Sequence, residues 1–199
     1  SRSEFALVLF SFLMVYNLFS ECINRSPGLV LGNMNYVKKV VFPLEILPVV
    51  AIGSATFHLL ISLFVWLIFY LLLFFFFQIS VLLLPIVLMP FFWLILGFSW
   101  FLASLGVYLR DVSQIVGVLT TALMFLSPIF YPMTALPEEY HIFLQFNPLT
   151  FIIEQARDVM IWGRGMNWIA WVAYWVFAAL VAWLGFAWFQ KTRAGFANV

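Results

Sequence analysis

From Ile46 to Phe77 the chain runs about 32 residues without one Asp, Glu, Lys or Arg. A helix of that length exceeds the roughly 30 Å hydrocarbon core of a bilayer, so it either tilts or projects beyond it. The run is continuous, whereas a membrane barrel strand alternates over about 10 residues. The stretch therefore predicts a transmembrane helix. Composition extends the conclusion to the whole chain. Of 199 residues, 66% are hydrophobic and 9% charged, against about 25% charged in soluble domains. So few charges cannot cover so much apolar surface in water. The net charge of +1 points to no nucleic-acid or acidic partner. The single cysteine, Cys22, cannot form an intrachain disulfide.

Four further apolar runs bring the expected spans to five, at about 5–20, 46–77, 81–108, 112–131 and 168–189. The first is short of the roughly 20 residues a span needs. The third is broken early by Pro85 and Pro90, and the fourth ends at Ser127-Pro128 and Pro132. Trp168 and Trp188 sit near the ends of the fifth, where interface anchors belong. The expected fold is an all-α integral membrane protein, a polytopic helical bundle forming one transmembrane domain over residues 1–199.

Lys and Arg near the span ends orient the bundle. Arg25, Lys38, Lys39, Arg110, Lys191 and Arg193 fall on one side, and Arg2, Arg157 and Arg164 on the other. The richer side is expected in the cytoplasm, which puts the C-terminus inside. With five spans the N-terminus would lie outside, feeding directly into a short first run. The simpler expectation is a six-span protein whose N-terminal interface helix and first span are not in this chain.

Residues 24–45 then form a cytoplasmic region. Tyr36, Val37, Val40, Val41 and Leu44 recur at helical spacing, with Lys38 and Lys39 on the other side. Asn33 or Asn35 can cap the start, and Pro43 and Pro48 punctuate the entry into the next span. Such an amphipathic helix either anchors in lipid head groups or docks a cytoplasmic partner.

No Asp, Glu, Lys or Arg is expected deep inside a span, although such residues mark proton relays and ion-coupled transport. His58 is the only ionisable candidate, and a packed or hydrogen-bonded helix contact is the plainer reading of it. The chain contains no G-x-x-x-x-G-K-[ST] phosphate loop. Energy for uphill movement would have to come from another chain.

The segment 132–166 is too apolar for a solvated loop. Asn147-Pro148 reads as a helix start and Gly163 as its stop. Glu154, Arg157 and Asp158 share one face between them. A static cap and a moving gate fit this amphipathic helix equally. Aromatic residues make up 21% of the chain, 25 of them Phe. Most face lipid or other helices, and some could form a smooth wall on which sugar rings stack.

Four motifs follow in order: NYVKKVVFPLEILP from Asn35, LGVYLRDVSQIV from Leu105, LSPIFYP from Leu126 and FNPLTFIIEQARDVM from Phe146. As a set they resemble the permease subunit of ABC transporters that export O-antigen, capsule or teichoic-acid polysaccharide. The resemblance covers the chain from about Ile23 onward. It implies a multi-pass protein of the bacterial inner membrane, a homodimer binding two copies of a separate ATPase. No cofactor belongs to this chain; ATP and Mg would sit on the ATPase. Asn35, Tyr36, Lys38 and Lys39, with Arg110 and Asp111 in a short turn, are expected to receive the ATPase stroke. Asn147, Pro148, Glu154, Arg157 and Asp158 correspond to short re-entrant gate helices on the outer side. The implied substrate is a polymer on a polyprenyl diphosphate lipid. Phe125, Phe130 and Tyr131 are candidate channel-lining residues, placed where a sugar chain would leave. A drug or lipid permease, or a membrane-embedded glycan-processing enzyme, would be the alternatives.

Overall fold

The computed structural model describes residues 2–33, 43–75, 78–128 and 147–198, and is helical with no strand among them. Among the described residues six α-helices follow in order: α1 Arg2–Arg25, α2 Ile46–Phe74, α3 Leu84–Tyr108, α4 Val112–Leu126, α5 Pro148–Arg157 and α6 Trp168–Thr192. Helices α1, α2, α3 and α6, with their short flanking turns, are long and apolar enough to cross a membrane; α4 is a shorter apolar helix.

Two helix lengths depart from expectation. Helix α1 is 24 residues long and passes the expected end near residue 20. Counting only apolar residues hid its last turns, because Glu21, Asn24 and Arg25 are polar yet helix-compatible. Glu21 and Arg25 pair at i, i+4 at 3.2 Å. Glu21 therefore lies one turn before the end of α1, and not deep within the span. Helix α4 stops at Leu126, with Ser127 extended, as the residue before Pro128 must be. Its 15 residues rise about 22 Å, short of a bilayer core. The rest of the fourth expected span, 129–131, lies outside the described residues.

Helix α3 pairs most extensively with α6. Gly97 of α3 meets the backbone of Val181 and Ala182, and Gly185 of α6 meets that of Gly97. Ala178, Ala182 and Gly185 make a small-residue stripe that lets the two backbones approach. The core proper centres on α1, with Val15, Leu18 and Cys22 packed among Leu94, Ile95 and Phe91 of α3 and the α5 residues Leu149, Ile152 and Ile153. Helix α2 buries a narrow stripe through Ala55, Leu59, Trp66 and Tyr70. Phe57, Phe64, Phe69 and Leu72 face outward, a surface suited to hydrocarbon and not to water.

One end of the bundle gathers α1's last turn, α2's first and the last turns of α3 and α6. Gly106 packs on the Pro27 backbone. Tyr108 Oη donates to the Thr192 carbonyl at 2.9 Å and Trp100 Nε1 to the Glu45 carbonyl at 2.9 Å. Arg193 pairs with Glu45 at 3.2 Å. Arg25, Arg110, Lys191 and Arg193 thus belong to one end, and Arg157 and Arg164 to the other.

Candidate functional site

Helix α5 sits at the opposite end, enclosed by four other elements. Its start follows from Asn147-Pro148. The Asn147 carboxamide oxygen accepts from the Leu149 amide at 2.9 Å, and the proline occupies the first turn. The Asn147 Nδ2 donates to Ser127 Oγ at 2.9 Å, joining the end of α4 to the start of α5. Tyr174 of α6 donates to the Pro148 carbonyl at 2.8 Å. One face of α5 is fully buried, through Leu149, Ile152, Ile153 and Ala156. The other carries Glu154, Arg157 and Asp158, each half-buried.

Arg157 does not point into open water. Its Nη2 donates to the Pro128 carbonyl at 2.5 Å, and its guanidinium lies 4.6 Å from the ring centre of Phe12 on α1. Burial pulls the guanidinium below its ordinary pKa, while the neighbouring Glu154 and Asp158 carboxylates push it back up. Arginine stays charged in such a setting. The carbonyl and the aromatic face offset its desolvation, because both attract a flat cation.

The end of α5 loosens into a π turn, Asp158–Trp162, which closes at Gly163 with φ 63°. Left-handed backbone there suits glycine, and the end of the Gln78 side chain would have to shift to admit a Cβ. A π turn leaves carbonyls poorly paired. The link before α3 takes them up. Ser80 donates to the Val159 carbonyl at 2.6 Å. The Gln78 amide, oriented by its hydrogen-bond network, donates to the Met160 and Ile161 carbonyls at 3.3 Å and accepts from the Gly163 amide at 2.6 Å. Asp158 meets Arg164 at 3.9 Å. The Gln155 side chain accepts from the Asn167 amide at 3.0 Å, just before α6 begins.

Helices α1 and α4 share a polar seam. Tyr16 Oη donates to the Thr120 carbonyl at 2.9 Å, and Thr120 Oγ1 donates to Asn24 Oδ1 at 3.2 Å. Helix α4 buries only Val112, Val116 and Thr120. It leaves Ser113, Gln114, Thr121 and Phe125 exposed. On the other flank of α1, His58 Nδ1 of α2 bonds the Glu21 carboxylate at 2.9 Å and 3.1 Å.

The structure thus joins Asn147, Pro148 and Arg157 to the ends of α1, α4 and α6. Arg110 and Asp111 form an exposed turn between α3 and α4, and the Asp111 carbonyl caps the first turn of α4 through the Gln114 and Ile115 amides. Asn35, Tyr36, Lys38, Lys39, Phe130 and Tyr131 lie outside the described residues. Sequence reasoning missed Glu21, Phe12, Gln78 and Ser80. Glu21 and Arg25 at i, i+4 could have signalled a longer α1. Nothing in the spacing of Gln78 and Gly163 foretells their contact.

Residues 2–161 match the family model described as ABC-2 type transporter. No curated protein matches the chain.

Proposed function

The chain belongs to the ABC-2 type transporter family, and on that premise we propose that it is the permease of an ATP-driven exporter of lipid-linked polysaccharide, with O-antigen on a polyprenyl diphosphate as the cargo. The family match over 2–161 carries this reading, and the cargo rests on the four motifs that resemble polysaccharide permeases. The working unit is a homodimer with two ATPase subunits in the bacterial inner membrane. The end holding Arg25, Arg110, Lys191 and Arg193 faces the cytoplasm, as their positive charge favours. There the segment with Asn35, Tyr36, Lys38 and Lys39 and the Arg110-Asp111 turn meet the ATPase.

The polymer passes along α4, whose exposed face sets Ser113, Gln114, Thr121 and Phe125 among the aliphatic Ile115, Val118, Leu119 and Leu126. Phe125 stands near its outer end, ahead of Phe130 and Tyr131. Helix α5 is the outer gate. Besides its buried apolar face, its polar seat is mainly neutral hydrogen bonds, each worth only about 0.5–1.5 kcal/mol net, which a push can exchange. The test is depletion of this chain in cells that make a surface polysaccharide. Polymer should build up inside on its lipid carrier and vanish from the surface, and a chain supplied in trans should restore it only with an active ATPase. Normal surface polymer in depleted cells would reject the cargo and leave a drug or lipid permease.

A further inference from the structure

Two cavities between α1 and α2 share one groove. On α1, Phe10, Met14, Asn17 and Glu21 follow at three- and four-residue steps; on α2, His58, Ser62, Val65 and Phe69 do the same. The cavity at the Arg25 end measures about 430 Å³ and is polar, with Asn17, Ser20, Glu21, Arg25 and His58 on its walls. The deeper one measures about 520 Å³ and is apolar, between Phe10, Val65, Phe69 and Leu72. Its one indole N–H, on Trp66, is spent on the Leu7 carbonyl at 3.1 Å. We propose that this groove holds one phospholipid with a primary-ammonium head group, of the phosphatidylethanolamine class.

Length supports a lipid. Eleven residues separate Glu21 from Phe10, and eleven separate His58 from Phe69, about 16 Å of helix rise. One leaflet of hydrocarbon is about 15 Å deep, half the bilayer core. Arg25 is the last residue of α1, so the polar cavity lies toward the basic end of the bundle and the apolar cavity toward its interior.

Charge selects the head. Glu21 is bonded by both His58 and Arg25, and the Glu21 and Arg25 charges cancel. A purely anionic head would face the Glu21 carboxylate, and a purely cationic one the Arg25 guanidinium. A head with both signs places its ammonium on Glu21 and its phosphate on Arg25. A quaternary ammonium is held by a cage of Trp, Tyr or Phe rings, and none of these lines the polar cavity among the described residues. A primary ammonium has three N–H donors, matched by the Glu21 carboxylate and the side-chain oxygens of Asn17 and Ser20.

The purified transporter, stripped of lipid, would be titrated with ethanolamine, choline and glycerol phospholipids of equal acyl chains, and bound lipid counted by native mass spectrometry. One ethanolamine lipid per chain should be retained about five-fold better than the others, the factor one partly exposed ion pair supplies. Glu21→Gln should erase the preference. Val65→Trp, which fills the tail end, should expel the lipid while leaving Glu21 in place, and it decides the matter if Glu21→Gln fails to fold. Equal retention of the three heads, a preference that survives Glu21→Gln, lipid retained by Val65→Trp, or displacement by a polyprenyl phosphate would each overturn the proposal. So would a cross-link from this groove to a second copy of the chain.

Discussion

Gly185 of α6 lies directly against the carbonyl of Gly97 on α3, with no space for even a methyl group between them. The two longest-contacting helices of the bundle are in register because both positions lack a side chain. Gly185→Ala should therefore destabilise the fold by about 1–3 kcal/mol, the usual cost of forcing a methyl group into a packed interior. Gly53, which has open space around its Cα, is the control. Gly53→Ala should be neutral or stabilising by up to about 1 kcal/mol, since alanine is the better helix former. Thermal unfolding in detergent compares the two; equal midpoints would mean that α3 and α6 can separate freely.

The contact between Ser127 and Asn147 offers a lock for α5. Cysteines at both positions should cross-link on oxidation and hold α5 against the end of α4. Losing the Asn147 cap costs about 1 kcal/mol by itself, so the reduced double variant is the reference. Oxidation should stop export and leave ATPase binding intact. Full export through the oxidised form would make α5 a fixed cap.

Lys38 and Lys39 lie in the segment proposed to meet the ATPase. Replacing both with Glu should lower co-purification of the ATPase about ten-fold, equal to about 1.4 kcal/mol of binding. Unchanged association and export, at normal protein level, would favour a lipid anchor.

Topology has a direct check. Arg164 and Ala194 are both exposed, at opposite ends of α6. In intact cells an impermeant thiol reagent should label Arg164→Cys and spare Ala194→Cys. The reverse pattern would turn the bundle over in the membrane.

Much of the bundle was legible because membrane solvation is written in composition. Long runs without charge must be helices, and Asn147-Pro148 starts α5 and Gly163 ends the π turn after it by local chemistry that needs no partner. The seat of α5 was not legible. Arg157 reads as a surface charge from its spacing, yet it is held by a carbonyl from α4's end and a ring from α1. Such contacts depend on how helices distant in sequence cross. The same holds for Glu21, whose carboxylate is bonded by His58, 37 residues away.

Helix α2 is one unbroken column of 29 residues, about 44 Å long. It begins at the basic end of the bundle beside Glu45, and the chain reaches Gln78 four residues after it ends. A helix does not shorten under load without giving up backbone hydrogen bonds. On the proposed function, thrust delivered at Ile46 would be carried along α2 toward the far face, where the Gln78 carboxamide bonds the π turn after α5. Gln78→Ala should remove that grip, and its expected signature is a motor that idles, with ATP hydrolysis continuing while export falls. Export and hydrolysis falling together would mean that the thrust travels by another route. In mechanical terms the proposed function would make α2 a pushrod and Gln78 its clevis.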